Sequence, residues 1–502
     1  MMGTTVNFAL IVLSICSSYF IWQRQKHLTS ALSRANKCRP PPKYPLLDPI
    51  FGLDLFLKNG KAVSENRFLP TLQERFAQMG WTFEALLFGT KTISSIEPEN
   101  LKMAWVEKFE DWGVQSSRLP AMGPFVGRGF LTTDGPHWEH SRALLKPSLR
   151  KANITNLAPF EDSLQEMIRK VPRDGTTIDL QELFFDLYLD TSCHFLFGET
   201  LGALSDKVAP HAVGFLDAFH ASLKGAGMRI ALRPFRYLLP NKKWREACAT
   251  THRFADHYVE KGLEYRQRFL AKELDPSEQA SKANILLYSM VEETGDREFL
   301  RYQILQGLVA AQDTTSSLLG NVFFLLARNP DVWQKLRDEV SSVKDAQDYS
   351  TLMKMGYLQK VLKETLRLYP VLPGLKRIAL RDTVLPVGGG PDGRSPIFCA
   401  AGTHFDTSFY VLHHQEKIWG PDVEEFKPDR WDTFQPKAWE YVPFAGGPRM
   451  CAGHQKANLE ASYVVVRMLQ EFEKIESRDS RPWAGQVRLT SRNANGCLVA
   501  FT

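Results

Sequence analysis

The sequence predicts a mainly helical body with a minor β part behind one N-terminal transmembrane helix, on three observations. Residues 153–368 carry a mostly helical pattern, and within it residues 298–328 form one long, largely apolar stretch without proline. Strand-like runs, at 90–96, 383–387 and 395–398, are short and few. Residues 6–22 carry no charge over 17 positions, the lower edge of the length that a helix needs to cross a bilayer.

Taken in order, residues 1–5 read as a luminal N-terminus and 6–22 as the anchor, with Tyr19 and Trp22 suited to the interface. No Lys or Arg precedes the stretch, whereas Arg24, Lys26, Arg34, Lys37 and Arg39 follow it. The positive-inside rule therefore places everything after residue 23 in the cytoplasm. A secretory signal peptide, the rival reading, would want a basic start and a small-residue cleavage site, and neither is clear. Residues 23–45 form a basic, Pro-rich linker in which Pro40, Pro41, Pro42 and Pro45 favour a stiff, extended backbone. The body, residues 46–502, is expected to be one domain. Its long helix starts after Asp296, a potential cap, and stops at Asn329 and Pro330. A helix of that length, apolar around much of its circumference, must run through a large core. The glycine-rich stretch 388–393 marks a hairpin, whose flanking Pro386 and Pro396 confine the strands to edges or bulges.

Hydrophobic residues at 44% and charged residues at 24% are ordinary globular values and exclude a polytopic membrane protein or a disordered chain. The formal charge of +6 is spread without a long basic run, which suits anionic lipid or an acidic protein partner and argues against nucleic acid. Seven dispersed cysteines include no CxxC pair, so zinc and disulfide frameworks both fit poorly. The pattern suits a reducing compartment with one functional thiolate.

Cys451 is the candidate thiolate. It stands at the start of a predicted helix over 454–469, where free N–H groups and the helix dipole favour an anion. Gly446 and Gly447 allow a tight turn, Gly453 lets a flat ligand approach the backbone, and Arg449 offers a cation two residues from the sulfur. Phe444, Gly447, Arg449, Cys451 and Gly453 together resemble the haem-binding signature of the cytochrome P450 family. Ala445 departs from the Gly or Ser usual in relatives, and His454 and Lys456 stand where Gln and Phe are frequent. The resemblance implies the cytochrome P450 fold, an all-helical core with small sheets. It further implies haem as the cofactor, Cys451 as the axial ligand of its iron, and Arg449 against a propionate.

On the long helix, Asp313 and Thr314 are costly in an apolar interior unless partnered. They read either as a buried polar kink or as the acid–alcohol pair that supplies the two protons needed to split dioxygen. The resemblance favours the relay; Ala311 replaces a frequent glycine beside it. Glu364 and Arg367, three apart, share a helix face. In the family such a pair is buried and joined by an arginine from a downstream loop, here Arg430, as structural support. Trp138 and Arg142 resemble the WxxxR motif that engages propionates, and Arg377 is expected to do likewise. Arg142, Lys146, Arg150 and Lys456 are expected either to form a dock for an acidic electron donor or to be a solvated basic face.

The motifs, in the family's order, cover essentially the whole chain. They imply a membrane-bound haem-thiolate monooxygenase of the endoplasmic reticulum that takes electrons from an NADPH-dependent reductase, with cytochrome b5 as a further donor. Residues 46–56, 134–142 and 388–393 resemble the fungal alkane and fatty-acid hydroxylase branch, whose relatives also tailor polyketides and terpenoids in secondary metabolism. Two rivals use the same cysteine: a haem-thiolate isomerase or dehydratase, and a non-catalytic haem-binding membrane protein. Neither needs Asp313 and Thr314.

Overall fold

The computed structural model describes residues 31–205, 209–342 and 348–502. The expected luminal segment and anchor lie outside them. Among the described residues no helix is long and apolar enough to cross a membrane.

The helices that position the site are α1 (Leu53–Ser64), α2 (Phe68–Met79), α3 (Gln115–Val126), α4 (Gly135–Leu145), α5 (Leu180–Phe197), α6 (Phe215–Leu232), α7 (Lys242–Leu270), α8 (Arg297–Leu326), α9 (Gly356–Leu368) and α10 (His454–Glu471). Helix α8 is the predicted central helix. Asp296 caps it, accepting the Phe299 N–H at 3.0 Å, and Pro330 opens the following helix at its first turn. Leu318, Leu319, Val322 and Phe323 bury the C-terminal half of α8 against α5, α9 and α10 in one cluster, while Leu300, Ile304, Leu305 and Leu308 bury the N-terminal half among α5, α6 and α7 in a second. A helix with apolar side chains all round is stable only inside such a core.

The β part is small. Strands β1 (Thr82–Leu87), β2 (Thr90–Ser95), β3 (Trp112–Gly113), β4 (Gly374–Ala379) and, further on, β7 (His404–Ser408) form one sheet in the order β1-β2-β7-β4-β3, with only β2 and β7 parallel. Strands β5 (Thr383–Gly389) and β6 (Ser395–Cys399) make the expected hairpin, and the register shifts between Leu385 and Gly389, where Pro386 cannot donate to a ladder. A short second hairpin, β8 (Gly485–Val487) with β9 (Ser491–Asn493), reaches the central helix.

The Pro-rich segment is docked as well as extended. Arg39 and Tyr44 donate backbone N–H groups to Pro396 O and Glu84 O at 2.8 Å, and Glu84 returns one to Pro42 O. Residues 39–44 therefore belong to the body, several residues before the boundary expected at 46.

Candidate active site

Close backbone approach shapes the turn from Phe444 to Gly453. Gly447 has φ 69°, and a Cβ there would lie 2.1 Å from the Trp105 carbonyl oxygen, so no side chain fits. Ala445 adopts φ 57°, a left-handed conformation that its family counterpart glycine holds without strain. The Cys451 N–H closes the turn on Phe444 O at 3.1 Å, and Gly453 stands at the N-cap of α10. A Cβ built on Gly453 meets no atom within 4 Å, which is the open space that a flat cofactor against this backbone needs.

The Cys451 side chain is accessible, yet protein surrounds it. Desolvation raises its pKa, and the Gly453 N–H and the Arg142 guanidinium only partly offset that. The helix start alone therefore does not make the anion; a bound metal cation would, since a coordinating thiol is deprotonated outright. His454 turns its Nδ1 to Cys451 O at 3.0 Å.

Beside this turn four guanidinium groups cluster, and three of them, Arg118, Arg377 and Arg449, lie within electrostatic reach of one carboxylate, Asp134. Arg449 bonds Asp134 Oδ1 and Thr133 O, both at 2.7 Å, and lies 4.5 Å over the Trp138 ring. Arg142 donates to Met450 O at 2.5 Å. Arg377, 3% exposed, reaches only its neighbour's carbonyl, Lys376 O, at 3.1 Å and lies over Trp105. Arg118 donates to Leu131 O. Desolvation, then repulsion from Arg118 and Arg449, holds Arg377 well below its usual pKa; burial lowers Arg449 to about 10. The Nε atoms of Arg377 and Arg449 are buried without partners. Uncompensated buried cations are expensive, and the two propionate carboxylates of a haem held by Cys451 would supply the missing acceptors. The residues present thus fit the cofactor. Arg118 and Asp134 were not anticipated: no spacing rule links them to residues more than 250 positions away.

Across the site, Thr314 Oγ donates to Ala310 O at 2.8 Å, the back-bond expected of a helical threonine. Asp313 accepts a 2.6 Å hydrogen bond from Thr490 Oγ, in the turn between β8 and β9. Sequence reasoning missed Thr490. Burial keeps the pKa of His220, on α6, low, with Asp313 opposing and Arg488 and Arg492 reinforcing. Val309, Ala452 and Leu489 pack on the same core cluster, which brings the helix, the cysteine turn and the hairpin together.

The structure brings Glu364, Arg367 and Arg430 together. Glu364 and Arg367 are each 0% exposed. Glu364 accepts Arg367 Nε and Nη2 at 2.9 and 2.8 Å, Arg430 Nε at 3.3 Å, Trp431 Nε1 at 3.1 Å and the Lys427 N–H at 3.2 Å. Arg430 also bonds Asp422, whose pKa falls to about 2 beside Lys427 and Arg430.

One expectation is corrected. Lys456 does not join a solvent-facing basic patch: it pairs with Glu460, lies over the Phe195 ring, and desolvation brings it down to about 7. Arg142 likewise turns inward. Lys146 and Arg150 remain exposed.

The family model described as Cytochrome P450 matches residues 41–491. Relatives include Cytochrome P450 monooxygenase himC of Aspergillus japonicus, 37% identical over 98% of this chain and 88% of its own length. Cytochrome P450 monooxygenase fsdH of Fusarium heterosporum is 37% identical over 97% of this chain and 86% of its own. Cytochrome P450 52A13 of Debaryomyces hansenii is 34% identical over 98% and 97% respectively.

Proposed function

The chain belongs to the cytochrome P450 family as a monooxygenase, and from that premise we propose that it hydroxylates a lipophilic substrate of fatty-acyl, alkane, polyketide or terpenoid type in fungal secondary metabolism. The observation that carries this reading is the accessible Cys451, set in a glycine turn beside four guanidinium groups, with Asp313 and Thr314 on the central helix that packs on the same core cluster as that turn. When bound there, a thiolate-held haem supplies the activation of dioxygen. The chain's residues do the rest. Arg118, Arg142, Arg377 and Arg449 orient the propionates, the apolar walls exclude water, and Asp313, steadied by Thr490, passes protons to the Thr314 hydroxyl. Electrons come from an NADPH-dependent reductase whose acidic face docks on the exposed Lys146 and Arg150.

Incubation of the holoenzyme with reductase, NADPH and a lipophilic library tests this. Thr314→Ala and Thr490→Val are expected to lower product formed per NADPH oxidised by roughly tenfold or more, while Thr314→Ser retains it. Product that forms without dioxygen overturns the reading in favour of an isomerase or dehydratase.

The same proposal places the protein on the endoplasmic reticulum membrane through residues 6–22. What supports it, besides the sequence, is an exposed apolar surface on the body. Leu47, Ile50 and Leu57 lie exposed near the Pro-rich segment, and Phe235, Tyr237 and Leu238 after α6. Ring contacts from Phe56 through Phe88 to Phe235, at 4.7 and 5.0 Å, join the two groups. A contiguous patch of this kind suits lipid. Full-length protein is expected in the membrane pellet after an alkaline carbonate wash, and deletion of 6–22 is expected to release it. Full-length protein in the supernatant would refute the anchor.

A further inference from the structure

Asp134 stands at the N-cap of α4, where an aspartate ordinarily accepts a backbone N–H from the first turn of its own helix. Its carboxylate caps nothing in α4. It turns instead to the start of α3 and to Arg449. Oδ2 accepts the Gln115 N–H at 2.8 Å, the Val114 N–H reaches both oxygens at 3.0 Å, and Oδ1 accepts Arg449 Nη2 at 2.7 Å. The joint is built to hold the carboxylate there. Gln115 Oε1 accepts the Asp134 N–H at 3.1 Å. A Cβ on Gly113 would lie 2.3 Å from Asp134 Oδ2, so only glycine lets β3 close on it.

The Arg449 and Asp134 side chains are 8% and 18% exposed, and salt screens a charge so enclosed far less than one at the surface. Arg449 Nη2 is fully occupied, with Thr133 O and Asp134 Oδ1 both at 2.7 Å. Its Nε is left without a partner and is free for a propionate. Of the four guanidinium groups assigned to the propionates, Arg118, Arg377 and Arg449 are acted on by the Asp134 charge. Four cations against two propionates leave an excess of positive charge beside the cofactor, and Asp134 cancels half of it. Positive surroundings favour an added electron on the iron, because the reduced state carries one more negative charge, and a fixed anion opposes it.

We propose that Asp134 is a positioning residue for haem reduction, which fixes the Arg449 guanidinium for the propionates and, by its charge, restrains the iron from taking up an electron. Net charge and hydrogen bonding around a cofactor are levers on its potential, and this one side chain works both. A cap residue that leaves its own helix uncapped to reach Arg449 is the observation behind the assignment. The inference rests on the haem-thiolate reading and adds to it the residue that sets how readily the iron is reduced.

The test is an anaerobic titration of the holoenzyme with dithionite through mediator dyes, followed in the haem spectrum. Asp134→Asn keeps the size of the side chain and removes its charge. It is expected to shift the ferric–ferrous equilibrium toward the ferrous form by roughly threefold or more, a rise of about 28 mV at about 59 mV per tenfold for one electron. Asp134→Glu keeps the charge and should shift it by less than about twofold. If Asp134→Asn holds too little haem to titrate, the substitution is made in an Arg118→Gln background, where the lost cation offsets the lost carboxylate, and the same shift is expected relative to Arg118→Gln alone. A smaller shift, a shift toward the ferric form, or a glutamate variant that exceeds twofold overturns the assignment and leaves Asp134 a structural joint. The reduced carbon-monoxide band of the wild type separates the two readings. Its absence from the red-shifted position overturns the haem-thiolate reading, whereas a red-shifted band with no change in the equilibrium overturns the role of Asp134 alone.

Discussion

Glu364→Ala is expected to lower the stability of the body by about 3–5 kcal/mol and to yield protein with much less than one haem per chain. The carboxylate accepts five hydrogen bonds from four residues. Its loss strands Arg367 and Arg430, both buried, with only neutral carbonyls and Asp422 to answer them. A domain has on the order of 5–15 kcal/mol to lose, so a single such break is a large share of the total. The effect reaches the cofactor because the same network suspends the cysteine turn. Arg367 donates to His413 O at 3.1 Å, His413 Nε2 accepts the Val442 N–H at 3.0 Å, and the Tyr441 hydroxyl bonds Lys363 O at 3.0 Å. Val442 is two residues from Phe444, where the turn begins. Denaturant titration and the haem-to-protein ratio measure both consequences. A midpoint within about 1 kcal/mol of wild type, with full haem, would show that the network is dispensable.

This network was legible in the sequence because its core is local. Glu364 and Arg367 are three residues apart on one helix, and a helix of that spacing brings them together whatever surrounds it. The central helix was legible for the same reason: its apolar run, its Asp296 cap and its proline stop are all written within about one element. The rest of the site depends on tertiary encounters that no local rule encodes. Asp134 meets Arg449 across 315 positions and Thr490 meets Asp313 across 177, and the strands that flank the Thr490 turn are three residues long, too short for a periodic pattern. Lys456 shows how a correct local reading misleads. Its charge suggests a solvated basic face, and only the packing of α10 against Phe195, with Glu460 as the ion-pair partner, turns it inward. The Cys451 thiol is a parallel case. The helix start is visible in the sequence and favours the anion, whereas the desolvation that outweighs it exists only once the chain has folded around the thiol.

Cys451→Ser is the complementary experiment, expected to abolish the chemistry and spare the fold. The turn is held by backbone: the residue 451 N–H bonds Phe444 O, Met450 N–H bonds Gly447 O, and Gly447 sits against Trp105 O. None of these contacts uses the sulfur. The side chain is accessible and a hydroxyl is close to it in size, so the replacement should change stability by less than about 1 kcal/mol. A hydroxyl is harder and far less acidic than a thiol, and cannot provide the soft, anionic ligand that a thiolate gives to haem iron. The variant should therefore lose the red-shifted reduced carbon-monoxide band that marks thiolate ligation, and product formation should fall to background. Among the described residues the other cysteines are poor substitutes. Cys193, Cys248, Cys399 and Cys497 are buried, and desolvation raises the pKa of each, as it does that of the half-buried Cys38. The contrast with Glu364→Ala gives the pair its force: one should lose the fold around the cofactor, the other only the ligand to its iron. A serine variant that keeps the red-shifted band would remove Cys451 from the iron and with it the mechanism.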